Sequence, residues 1–146
     1  MSVTRIRVLY VEDNALDADL TRRHLRKSAP DIALDVVATI SEALLRLRAQ
    51  AAQDYDLVLT DLNLPDGEGL ALYGQIRARN WHLPVVVITG LGDDAMVSAA
   101  LRAGASDYVV KREDYLDRLP ATLRDAVERY KDERERQGQP LRVLYA

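Results

Sequence analysis

The feature that most constrains this chain is a rhythm, in which short apolar runs are separated by longer stretches of helical period. "IRVLYV" (Ile6–Val11), "LDVVA" (Leu34–Ala38), "DLVLT" (Asp56–Thr60), "PVVVIT" (Pro84–Thr89) and "DYVV" (Asp107–Val110) are four to six residues long and rich in Val, Ile and Leu. Their apolar character is nearly continuous, so each is expected to be covered on both faces, as strands of a parallel sheet are. Between them, Asn14 is placed to cap a helix through Ser28, with Asp17 in its first turn. Thr39 and Glu42 have capping-box spacing ahead of "ALLRLRAQ". Gly67–Arg79, Asp93–Ala103 and Asp114 onward supply three more helices, the fourth stopping at Gly104. Strand–helix repeats joined by short loops require right-handed crossovers. The expected fold is α/β: a flavodoxin-like five-stranded parallel sheet, order 2-1-3-4-5, with five helices in a three-layer sandwich.

Bulk properties narrow the function classes. A chain of 146 residues, 48% apolar and 29% charged, suits one globular domain with a short extension. A net charge of −3 disfavours a phosphate-backbone binder, so no nucleic acid is expected to bind through this domain. Without cysteine, disulfides and thiolate metal sites are out of reach. No apolar run has the length of a membrane span, and Met1–Arg5 leads into a strand, unlike a signal peptide. The expectation is a cytoplasmic protein with no membrane partner.

Open parallel sheets bind ligands at the carboxyl ends of their strands, where the strand order reverses. Those ends carry Glu12-Asp13 on the first strand, Asp61 on the third, Thr89-Gly90 on the fourth and Lys111 on the fifth. Any one of them has a plain reading as a helix cap or a solvated surface group. Their convergence at four strand ends points instead to one pocket of three carboxylates with a hydroxyl and an ammonium beside it. Crowded carboxylates attract a cation, and an all-oxygen donor set suits Mg²⁺. A carboxylate, Mg²⁺, a lysine and a hydroxyl together suit transfer of a phosphoryl group onto an aspartate.

With these residues the sequence resembles a receiver domain of the chemotaxis type, the phospho-accepting module of two-component response regulators. The resemblance covers Arg5 to Tyr130 and rests on four segments in order: "VLYVEDN", "DLVLTDLNLPDGEGLALYGQIR", "VVVITG" and "ALRAGASDYVVK". Pro65 and Gly69 follow Asp61 by four and eight residues, as in that family. The resemblance implies that Asp61 is the phosphoacceptor. It implies that Glu12, Asp13, Asp61 and the backbone carbonyl of Asn63 hold Mg²⁺. It further implies that Thr89 and Lys111 contact the phosphoryl group and that Tyr108 turns inward when Thr89 moves. The implied phosphodonor is a histidine kinase or histidine phosphotransfer protein. The responding surface, also the candidate homodimer seam, would be the face of helix four, strand five and helix five. One departure is Arg112 after Lys111, where the family carries proline, often after a cis bond; the Lys111–Arg112 bond is expected to be trans.

Two other functions compete. A haloacid-dehalogenase-like phosphohydrolase also uses an aspartyl phosphate, but it needs a second acid where this chain has Asn63, and a cap insertion for which there is no room. A pseudo-receiver acting by protein contact alone would lose the acceptor or the acidic pair, and both are present. The protein is therefore expected not to be an enzyme beyond self-phosphorylation and slow self-dephosphorylation. His24, His82 and Trp81 fall away from the pocket. Leu116, Leu119, Leu123, Val127 and Tyr130 form a helical core stripe.

After a receiver domain at 1–130, "YKDERERQGQP" reads as a charged helix end and linker at 131–140, broken by Gly138 and Pro140. Beyond it, Arg142-Val143-Leu144-Tyr145 repeats Arg7-Val8-Leu9-Tyr10. The expectation is that 141–146 begins a second receiver-like domain, the alternative being an apolar tail that matches by coincidence.

Overall fold

The computed structural model describes residues 5–49, 54–90 and 94–145, with side chains as far as Arg136. The residues at 1–4, the expected helix start at Asp93, and Ala146 lie outside the described residues. In chain order the elements are β1 (Ile6–Val11), α1 (Ala15–Ser28), β2 (Ile32–Val37), α2 (Ile40–Ala49), β3 (Leu57–Asp61), β4 (Asn63–Leu64) and β5 (Gly67–Glu68). They continue with α3 (Gly69–Ala78), β6 (Val85–Thr89), α4 (Asp94–Ala103), β7 (Asp107–Val110) and α5 (Tyr115–Tyr145).

The main sheet has the order β2-β1-β3-β6-β7, and every neighbouring pair is parallel. Because β4 and β5 form a separate small hairpin, this is the expected five-strand order 2-1-3-4-5. Successive side chains of a strand point to opposite faces, and the core divides accordingly. Leu9, Val11, Val58, Val85 and Val87 pack with Ala43 and Leu47 of α2, Leu72 and Ile76 of α3, and Val97 and Ala100 of α4. Val8, Tyr10, Leu57, Leu59, Val86 and Ile88 pack with Leu25 of α1 and with Leu119, Leu123 and Val127 of α5. The three-layer sandwich follows from apolar strands that need cover on both sides. Each fully buried aliphatic side chain contributes about 1.5–3 kcal/mol, so truncating Leu9, which is fully buried, would cost about 2–5 kcal/mol.

Helix starts are set by their caps. Asn14 Oδ1 accepts from Asp17 N at 3.0 Å, and Thr39 Oγ1 accepts from Glu42 N at 3.0 Å. The remaining donors of α2 are met from a distance: Asp66 accepts from Ile40 N at 2.9 Å and Ser41 N at 3.0 Å. Asp66 sits in the turn of the β4–β5 hairpin, which displaces the expected start of the third helix from Gly67 to Gly69. Gly67 has a φ of 149°, which closes the hairpin in a conformation that side chains avoid. On the opposite face of the sheet, His24 Nε2 lies 3.1 Å from Asp117 Oδ1 and ties α1 to α5.

The last helix departs from expectation. α5 runs unbroken from Tyr115 to Tyr145, so the charged helix end expected within 131–140 continues without the break expected at Gly138 and Pro140, and Leu141–Tyr145 is helical where a strand was expected to begin. The run Lys131–Gln137 consists largely of strong helix formers, with Lys131/Glu135 and Asp132/Arg136 at favourable i,i+4 spacing. Against that run, Pro140 withholds one backbone donor.

Candidate functional site

The sheet register brings the predicted residues to one end. Val11 pairs with Thr60, Asp61 with Ile88, and Thr89 with Val110, so the strands end at nearly the same level. Glu12 and Asp13 leave β1, Asp61 ends β3, Thr89 ends β6, and Lys111 follows β7. Carboxylate oxygens of Glu12, Asp13 and Asp61 all lie within 4.8 Å of one another. Glu12 is buried, Asp61 half-buried and Asp13 exposed, so the cluster opens to solvent on one side.

Lys111 provides the balancing charge. Its Nζ donates to Glu12 Oε1 at 2.8 Å and to Asp17 Oδ2 at 2.9 Å, and stands 3.7 Å from Asp61 Oδ2. Glu12 is further fixed by the Tyr10 hydroxyl, which donates to Oε1 at 3.3 Å, and by Asn14 N, which donates to Oε2 at 3.3 Å. A buried carboxylate needs such partners to stay ionised. Burial lowers the proton affinity of Lys111, but its bonds to Glu12 and Asp17 and the surrounding negative charge outweigh this, holding the ammonium above its ordinary range.

Asp61 is poised differently. Burial, then the charge of Glu12, pushes its carboxyl up to about 6, against the opposing pull of Lys111 and the Asn63 backbone N–H. An acid raised in this way is relieved by any cation that joins the cluster. The three carboxylates converge without a soft ligand among them, and the exposed side at Asp13 leaves room for water. This donor set fits a hard divalent ion with retained waters.

Close packing sets the position of Asp61. A Cβ on Gly69 would stand 2.4 Å from the Asp61 carbonyl oxygen, and Gly69 N donates to Leu62 O at 2.8 Å. Only a residue without a side chain lets α3 begin against the end of β3.

Of the predicted switch residues, Thr89 ends β6 beside Asp61, whereas Tyr108 stands apart from the carboxylate cluster. Thr89 is 1% exposed, and its hydroxyl donates to Gly90 O at 3.2 Å. Tyr108 is 42% exposed and lines a separate groove with Arg112, Tyr115 and Arg118. No cis peptide bond occurs among the described residues, so Lys111–Arg112 is trans as expected. Sequence reasoning missed Asp17 as a partner of Lys111; the one signal was its place in a capped first turn facing the strand ends. It also missed Asp66, whose role depends on a hairpin that has no apolar signature.

Comparison with known proteins decides the family. The profile of the Response regulator receiver domain matches residues 8–124. The chain belongs to that family. This receiver domain is 32% identical over 150 residues to the methanogenesis regulatory protein FilR1 of Methanothrix harundinacea, covering 93% of the chain and 33% of the relative. It is 39% identical over 110 residues to the response regulator protein FleR of Pseudomonas aeruginosa, covering 72% of the chain and 21% of the relative. The chain thus spans a third or less of each of these curated relatives. Among solved structures, the signal receiver domain of a Luxo repressor protein from Vibrio parahaemolyticus superposes with a TM-score of 0.76 at 26% identity, covering 88% of this chain and 95% of that one. NtrX from Brucella abortus gives a TM-score of 0.78 at 28% identity over 92% of this receiver domain and 29% of that chain. Among the described residues, no helix of the receiver domain is long and apolar enough to cross a membrane.

Proposed function

We propose that this receiver domain takes a phosphoryl group from a histidine kinase or histidine phosphotransfer protein onto Asp61, in a Mg²⁺-dependent reaction, and signals through the face of α4, β7 and α5. The observation that carries the reading is the meeting of Asp61 with Glu12 and Asp13 within 4.8 Å, with the Lys111 ammonium 3.7 Å away. An Asp61 carboxylate oxygen attacks phosphorus, a P–O bond forms, and the bond from phosphorus to the donor nitrogen breaks, the donor histidine retaining the electron pair. Bound to Glu12, Asp13, Asp61 and the Asn63 carbonyl, Mg²⁺ would neutralise charge on the transferring oxygens. Lys111 supplies a point charge for the phosphoryl group, and Thr89 a hydroxyl donor to one of its oxygens.

The added charge is the signal. When Thr89 turns to the phosphoryl group it leaves space behind β6, and Tyr108, now at the surface, fills it. This remodels the α4–β7–α5 face, on which a homodimer or a downstream partner would form. The reading places the protein in the cytoplasm with the kinase, and leaves slow self-dephosphorylation as the remaining chemistry. Incubation with Mg²⁺ and acetyl phosphate, followed by intact-mass measurement, tests it. One phosphoryl group should be added to wild type and none to Asp61→Asn; labelling of Asp61→Asn at the wild-type rate would remove Asp61 as the acceptor.

A further inference from the structure

We infer that Asp17 is a positioning residue for Lys111, and that it restrains phosphorylation by holding the ammonium away from Asp61. The inference rests on the reading of Asp61 as phosphoacceptor. Lysine has three N–H donors on a flexible stem. Here two of them are committed, at 2.8 Å to Glu12 and 2.9 Å to Asp17, while Asp61 is left at 3.7 Å, beyond hydrogen-bond reach.

Asp17 stands outside the Glu12–Asp13–Asp61 cluster and arrives from α1. Its position is well fixed: its backbone N donates to Asn14 Oδ1 at 3.0 Å, and its carbonyl accepts from Thr21 Oγ1 at 2.9 Å. Thr21 Oγ1 in turn lies 3.5 Å from the Tyr10 hydroxyl, which donates to Glu12 Oε1 at 3.3 Å. The Tyr10 hydroxyl thus holds Glu12 and the Thr21 hydroxyl holds the Asp17 backbone, so both acids that grip Lys111 are braced. An incoming anionic donor therefore competes with Asp17 for the position of the Lys111 ammonium. Asp17 also partly cancels the positive charge of Lys111, which would attract that donor.

Initial rates of intact-mass labelling by acetyl phosphate with Mg²⁺ test this, measured for wild type, Asp17→Asn, Asp17→Glu, Lys111→Ala and the Asp17→Asn/Lys111→Ala double variant. In each reaction Asp61 displaces acetate from phosphorus, one P–O bond forming as another breaks. Asp17→Asn should lower the apparent KM for acetyl phosphate by about threefold to tenfold. Asp17→Glu, which keeps the charge, should resemble wild type. In the Lys111→Ala background the Asp17→Asn effect should vanish, which a general weakening of α1 would not produce. An unchanged KM in Asp17→Asn, or the same gain without Lys111, overturns the inference. Should Lys111→Ala label too slowly to measure, solvent exchange of the Lys111 ammonium protons by ¹⁵N NMR decides: faster in Asp17→Asn supports the tether, and equal rates refute it. Absence of labelling in wild type would instead sink the phosphoacceptor reading, and this inference with it.

Discussion

The Lys111 ammonium donates to Glu12 Oε1 at 2.8 Å across 99 positions of sequence. The Glu12 side chain is 1% exposed, so this bond links the ends of β1 and β7 through a buried carboxylate that needs a charged partner. It also bears on Asp61, whose carboxyl is raised by burial and by the charge of Glu12 and lowered by Lys111.

The first prediction concerns Asp61 and pH. The unfolded carboxyl has the ordinary value of 3.8, and the folded one is pushed up to about 6. The fold therefore holds the proton more tightly, and wild type loses stability as pH rises from about 4 to about 6, then levels off. Asp61→Asn carries no such loss. In metal-free buffer the variant should match wild type near pH 4 and be more stable by about 1–2 kcal/mol near pH 8, after discount for partial solvent access. Calorimetry at both pH values measures it; a variant less stable than wild type near pH 8 contradicts the raised carboxyl.

The second concerns Asp13, the exposed member of the acidic cluster. Asp13→Ala should leave the melting temperature unchanged and weaken Mg²⁺ binding by at least about tenfold. Titration calorimetry on wild type and variant checks both halves. Equal affinities would take Asp13 out of the metal site.

Gly69→Ala is the third. The new methyl would stand 2.4 Å from the Asp61 carbonyl oxygen, a backbone atom that no side-chain rotation can move aside. A cost of about 1–3 kcal/mol is expected, with slower labelling of Asp61 because its strand end must shift. Urea denaturation and mass labelling report the two effects, and a neutral result in both would show that α3 can slide.

A fourth prediction follows from Asp66, whose carboxylate accepts from Ile40 N, Ser41 N and Ser41 Oγ. These bonds hold the carboxyl below its ordinary value. Their contribution is present at neutral pH and is lost as pH falls below the ordinary carboxylate range. Asp66→Ala should lower the melting temperature at neutral pH by a few degrees and speed amide exchange at Ile40 and Ser41. Exchange unchanged at those two amides would mean that the helix start holds without the cap.

Last, Thr89→Ala should still accept a phosphoryl group on Asp61 but fail to rebury Tyr108. Tyr108 is 42% exposed before any reaction. Amide exchange over β7 and α5 should change on phosphorylation of wild type and change less in Thr89→Ala. Equal responses would separate Thr89 from the switch.

Sequence and tertiary structure decided different things. The five main-sheet strands, their order and the strand-end residues were legible because continuous apolar runs demand a covered parallel sheet, and such a sheet gathers its strand ends. Glu12, Asp13, Asp61 and Lys111 could thus be placed together from the strand ends and the expected strand order. The partition of Lys111 between Glu12 and Asp17 could not, since a flexible ammonium chooses among acids by fractions of an ångström set by packing. Nor could the reach of Asp66 to α2, which depends on a hairpin held by few residues. The repeated tetrapeptide makes the limit plain. Arg7–Tyr10 is a strand because β2 and β3 pair with it on both edges, whereas Arg142–Tyr145 continues α5. Four residues carry too little intrinsic preference to choose a conformation, and neighbours brought by the fold choose it for them.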